Sequence, residues 1–160
     1  MLLYSIYIRG GGKYMPTINK KNLLYVFVKG HKGRGAFEIM NSAYKSQHKD
    51  SVSKSLASPI YMDLKAIEAS LKYIKDHRGE NHIPQNPVIF IFTTYEVNYE
   101  VASDKKVPKK PEMIQFKKTL EKLRDEFKRP HQKQRDEIKC YWIPDNFENH
   151  IEDVKKLLKH

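Results

Sequence analysis

The segment Val88-Ile89-Phe90-Ile91-Phe92 carries no polar residue at any position, and it is bracketed by Pro87 and Thr93-Thr94. A strand with one wet face alternates, whereas a strand buried on both faces reads as a continuous apolar run. Such a run therefore demands layers on both sides of a sheet. The flanking sequence offers them. Leu64, Ile67, Leu71 and Ile74 are spaced three and four apart, which places them on one face of a helix from Met62, ended by Gly79 and Pro84. Phe116, Leu120, Leu123 and Phe127 form a second helical stripe, and Ile151, Val154 and Leu158 a third, opened by a capping-box pattern at Asp145-x-x-Glu148.

Other segments follow a strand period. Leu23 to Val28 is rich in aromatic and β-branched residues and runs through a Gly-rich turn into Gly35 to Met40, a β-hairpin pattern. Residues Tyr44 to Ser58 are polar, with Val52 and Leu56 as anchors of a weak third strand. Ile138 to Ile143 is a further strand, Pro130 to Asp136 a polar turn, and Tyr99 to Pro111, basic and punctuated by proline, a loop. The expected order is two or three strands, helix, strand, helix, strand, helix.

At 160 residues the chain is expected to be one domain, long enough to bury a core without disulfides. A single cysteine, Cys140, makes a cytoplasmic setting the default. No apolar run approaches the roughly 20 residues that span a bilayer, so no membrane partner is expected. Residues 1–14 stand apart. Gly10-Gly11-Gly12 before Lys13-Tyr14-Met15 fits a translated ribosome-binding site with Met15 as the start; the competing reading is an added edge strand. The domain proper is then 15–160. Abundant Lys, Asn, Ile and Tyr point to AT-rich codons and hence a low-GC bacterium or its phage.

The net charge is +11 and no Asp or Glu precedes Glu38. A balance of that sign favours polyanions such as RNA or DNA, with plain solubility as the alternative. Two basic groupings are candidate nucleic-acid contacts: His31, Lys32 and Arg34 in the first turn, and Lys117, Lys118, Lys122 and Arg129 on the second helix. A Gly-rich turn exposes backbone N–H groups that suit phosphates, although the turn lacks the Gly-Lys-Ser/Thr ending of a P-loop. A solvated turn and a solvated helix face, with Glu121, Asp125 and Glu126 interleaved, are the structural alternatives. The His and Cys residues lack zinc-ligand spacing. His150 and His160 are expected to be exposed.

Several motifs resemble the ribonuclease H-like superfamily. Met62-Asp63-Leu64-Lys65-Ala66 through Ala69-Ser70-Leu71 is similar to its acid-Leu-x-Ala-x-x-x-Ala-Leu helix. Val88 to Phe92 with Thr93-Thr94 resembles its strand ending in Thr-Asp-Ser, and Tyr141-Trp142-Ile143-Pro144 followed by Glu148-Asn149-x-x-Glu152-Asp153 resembles its last strand and helix. The resemblance runs from Leu23 to the C terminus. It implies an α/β fold with a mixed sheet, antiparallel first strands and then parallel ones, with helices on both faces.

The family's nuclease chemistry uses four carboxylates around two divalent ions. The matching positions here are Lys29, Asp63, Thr94 and Asp153, so half of the set is replaced. An ammonium at Lys29 cannot ligate Mg²⁺ or Mn²⁺, which take oxygen ligands. The expectation is that Lys29 stands where a metal would and pairs with Asp63 and Asp153. Two unit charges about 4 Å apart attract by roughly 4 kcal/mol at an effective dielectric near 20, before desolvation. The family's loop His is also unmatched.

The resemblance thus implies a catalytically degenerate domain, without cofactor, that binds an RNA/DNA hybrid, structured RNA or a nucleoprotein partner. The alternatives are an active Mg²⁺- or Mn²⁺-dependent nuclease with a rearranged carboxylate set, and a protein-interaction module that keeps only the fold.

Overall fold

The computed structural model describes residues 20–80, 82–127, 138–145 and 148–158. The expected leader, the turn at 130–136, Arg129 and His160 lie outside them. A 3₁₀ turn at Lys20–Asn22 opens into strands β1 (Leu23–His31), β2 (Arg34–Asn41) and β3 (Ser46–Ser53). Helix α1 (Pro59–Asp76), strand β4 (Val88–Thr93), helices α2 (Glu96–Ala102) and α3 (Pro111–Phe127), strand β5 (Ile138–Trp142) and helix α4 (Glu148–Leu157) follow. The five strands lie in the order β3-β2-β1-β4-β5. The hairpin pairs β1–β2 and β2–β3 are antiparallel, and β1–β4 and β4–β5 are parallel.

Every residue of β4 is buried, as its uniform apolarity requires. Its odd and even positions serve different cores. Ile89 and Ile91 join Leu24, Val26 and Val28 under the apolar stripes of α1, α2 and α3. Val88, Phe90 and Phe92 join Tyr25, Phe27 and Tyr141 against Ile151 and Val154 of α4. Helices thus cover both faces.

Two glycines set how closely α1 approaches the sheet. Gly30 and Gly35 face each other across the β1–β2 ladder. A Cβ on Gly30 would lie 1.9 Å from the Pro59 carbonyl oxygen, and one on Gly35 would lie 2.3 Å from that of Met62. The first turns of α1 therefore rest on bare backbone, and Asp63 is brought against β1. Ser58 caps this helix, its Oγ accepting from the Tyr61 amide at 3.2 Å, with Pro59 supplying the preset φ of a first helical position. Ser58→Ala is expected to cost about 1 kcal/mol in a urea melt, the usual worth of such a cap.

Three expectations need correction. Leu56 anchors no strand: β3 ends at Ser53, and Leu56 is 82% exposed in a left-handed turn (φ 62°). The polarity of β3 reflects its place at the sheet edge, where both faces need not be apolar and charge discourages further pairing. Tyr99 to Pro111 is not all loop, since α2 extends to Ala102 and buries Tyr99, Val101 and Ala102. Two turns are too short to show a helical period. Finally, His150 is not a free surface residue: its ring stacks 4.9 Å from Tyr44 and 5.1 Å from Phe27.

Candidate functional site

The C-terminal ends of the parallel strands β1 and β4 bring Lys29 and Thr94 together. Their pairing ends at Phe27–Phe92, and two further residues along each strand lead to Lys29 and Thr94. Lys29 Nζ donates to Thr94 Oγ1 at 3.0 Å, and sits 4.6 Å from the centroid of the Tyr95 ring. It completes its shell with Asp145 Oδ1 at 2.9 Å, contributed by the segment after β5. The ammonium is thus held by a hydroxyl, a π face and a carboxylate, each from the same end of the sheet. Tyr95 is fixed in turn by its hydroxyl, which donates to the Gly30 carbonyl at 3.0 Å, and Trp142 Nε1 donates to the Thr94 carbonyl at 3.3 Å.

Asp63 lies beneath this layer with no exposed surface. Its Oδ2 accepts from Thr93 Oγ1 at 2.6 Å and from Asn98 Nδ2 at 2.9 Å, while its Oδ1 has no hydrogen-bond partner. Burial in a low-dielectric setting pushes its pKa up to about 6, against the opposing pull of the Thr93 and Asn98 hydrogen bonds, the Lys29 charge and, weakly, the Gly30 amide. Asp145 moves the other way. Desolvation would raise it, but Lys29 and then Lys155 together outweigh that and hold its carboxyl below the ordinary range.

The partner of Lys29 is therefore Asp145, and the expected direct pairing with Asp63 and Asp153 does not occur. Asp63 is already occupied by neutral donors from β4 and α2, and it influences Lys29 only through space. Asp153 faces Lys156 on α4 at 3.6 Å, 39% exposed. Asp145, read in sequence as part of a helix-capping pattern, is engaged by two ammonium groups, since Lys155 also reaches its Oδ1 at 3.3 Å.

The basic candidates separate by environment. His31 and Lys32 are exposed at the β1–β2 turn, and Arg34 Nη2 donates to Ser51 Oγ at 3.2 Å. Lys117 is tied to Asp104 and Glu121. Lys118 and Lys122 are exposed on α3, and Lys122 lines a groove of about 410 Å³ with Lys65, Lys72 and Lys75. Sequence reasoning missed Asn98, Tyr95 and Asp145 as parts of the site. Asn98 had one available signal: an amide placed among Val97, Tyr99 and Val101 needs a buried polar partner.

A divalent metal does not fit these residues. Lys29 places a positive charge between Thr94 and Asp145, Asp63 is sealed beneath it, and Asp153 is turned to Lys156. Among the described residues no group of three or more His, Cys, Asp and Glu side chains is arranged to hold a metal ion, and no helix is long and apolar enough to cross a membrane.

A mixed five-stranded sheet in this order, sandwiched by helices, defines an α/β architecture that solved structures also display. The chain is similar to ribonuclease H1 from the halophilic archaeon Halobacterium salinarum, at 8% identity and a TM-score of 0.66, over 86% of this chain and 98% of that one. It is similar to the N-terminal RNase H domain of a Mycobacterium tuberculosis protein, at 11% identity and a TM-score of 0.64, over 82% and 95% of the two chains. A third likeness, also at 11% identity and a TM-score of 0.66, is to LC11-RNase H1 in complex with an RNA/DNA hybrid, over 84% and 92%. The fold is ribonuclease H-like. No protein-family model and no curated protein matches the sequence.

Proposed function

We propose that this chain is a nucleic-acid-binding ribonuclease H-like domain that holds its ligand without cutting it and takes no metal cofactor. The observation that carries the reading is the Lys29 ammonium, hydrogen-bonded to Thr94 and ion-paired with Asp145 at the end of the central strands. Two-metal phosphodiester cleavage needs oxygen ligands converging there, and a fixed cation repels the ions it would require. Binding is supported by the +11 net charge, by the exposed His31 and Lys32, and by the complex of a protein of the same fold with an RNA/DNA hybrid.

Two measurements on the full chain test the reading. A labelled RNA/DNA hybrid incubated in Mg²⁺ or Mn²⁺ should remain intact; cleavage that Asp63→Asn abolishes would overturn the non-cutting assignment. Hybrid binding should weaken with salt, each phosphate contact adding about −0.9 to the slope of log K against log salt. Absence of binding at low salt would leave the fold without this function. The thermal midpoint should not respond to either metal.

A further inference from the structure

Asp145 is an unusual occupant of its own site. Its single Oδ1 oxygen receives two ammonium groups, Lys29 from β1 at 2.9 Å and Lys155 from α4 at 3.3 Å. The seat is more enclosed than the group sitting in it: the side chain of Lys29 is 12% exposed and that of Lys155 28%, whereas that of Asp145 is 59% exposed. A carboxylate bound at the rim by two better-buried cations can swing outward and leave them converging on an open position.

We propose that Lys29 and Lys155 form a phosphodiester seat and that Asp145 is its internal competitor, released when a nucleic-acid phosphate takes its place. This deepens the nucleic-acid-binding reading and rests on it. The +11 net charge of the chain favours a phosphodiester of a polyanion as the incoming group. It carries the same single negative charge as Asp145, but its two non-bridging oxygens can each meet one lysine, whereas both lysines share one oxygen of Asp145. Charge-assisted bonds to phosphate are among the stronger polar contacts available to a surface. The Thr94 hydroxyl, which accepts from Lys29, retains its own proton to donate toward an anion there. Lys155 keeps an alternative partner in Glu152 at 3.6 Å, so it is not stranded when Asp145 moves.

The seat predicts that removing the competitor tightens binding. Asp145→Asn keeps the shape of the side chain and deletes its charge, so its affinity for an RNA/DNA hybrid should rise about fivefold, the size of a displaced rim ion pair. Lys155→Ala should weaken binding and make the salt slope shallower by about 0.9, one phosphate contact. The double variant should show no tightening.

A parallel titration of inorganic phosphate, followed by amide chemical shifts at Thr94, Asp145 and Lys155, isolates the seat from the larger ligand. With circular dichroism unchanged, an Asp145→Asn affinity equal to or below wild type, together with an unaltered Lys155→Ala salt slope, overturns the seat while leaving nucleic-acid binding intact. If the hybrid fails to bind at low salt but phosphate shifts these amides, more so in Asp145→Asn, the seat stands as an anion site and the nucleic-acid reading falls. If neither ligand registers there, the seat is refuted.

Discussion

Gly30→Ala is expected to be the most damaging single methyl group that can be added near the site, lowering stability by about 4 kcal/mol or more. The added Cβ would meet the Pro59 carbonyl oxygen at 1.9 Å, the Asp63 amide nitrogen at 2.4 Å and Asp63 Cβ at 2.8 Å. Two of these three atoms are backbone of a capped helix, which cannot rotate aside as a flexible side chain would. Overpacking a core usually costs about 1–3 kcal/mol, and values beyond 4 belong to sites without room to relax. Domains have only about 5–15 kcal/mol in total. The variant should thus show a much lower urea midpoint and a partly unfolded population at ordinary temperature.

Gly33→Ala supplies the contrast. Gly33 has a left-handed φ of 77°, but the nearest atom to its Cβ would be the Lys54 carbonyl oxygen at 3.6 Å, so only the conformational penalty remains. That penalty is about 1–2 kcal/mol. Equal midpoints for the two variants would mean that α1 does not press on the hairpin as described.

The same close approach explains what could be foreseen from sequence. The double-sided burial of β4 and the stripe of α1 were legible because each repeats one physical requirement over many residues. The juxtaposition of Lys29 with Thr94 was implied by the ribonuclease H-like resemblance, which matches both to positions of one site. What could not be read was local geometry: the Gly30 and Gly35 platform depends on register across a hairpin, and the two turns of α2 are too few to reveal their period. Asp145 was visible as an acid, but its selection by Lys29 over Asp63 required knowing that Thr93 and Asn98 already satisfy Asp63 Oδ2. The deeper carboxylate is held by neutral donors, while the rim carboxylate takes the ion pair.

That difference gives Asp63 a distinct signature in the pH dependence of stability. Its folded pKa of about 6 lies some two units above the ordinary 3.8, chiefly because burial penalises the anion. Between about pH 4 and pH 6 the folded state holds a proton that the unfolded state has released, so stability contributed by Asp63 is full below pH 4 and is lost as pH rises through 6. At about 1.36 kcal/mol per unit, the ionised carboxyl costs the fold about 3 kcal/mol at neutral pH. Asp63→Asn cannot ionise. The stability gap between variant and wild type should therefore move by roughly 2–2.5 kcal/mol in the variant's favour from pH 4 to pH 8, whatever its absolute value at either end. Asp145 does not confound the comparison: its folded pKa is lowered, so its contribution fades only as pH falls below the window, and it does so in both proteins. Urea midpoints at the two pH values measure the gap, and one that stays constant would show that Asp63 is not held as a desolvated acid. Beneath Lys29 the burial of this charge is offset by a threonine, an asparagine, a fixed ammonium and, weakly, the Gly30 amide, and burial still outweighs them, which is why removing the charge should relieve the fold at neutral pH.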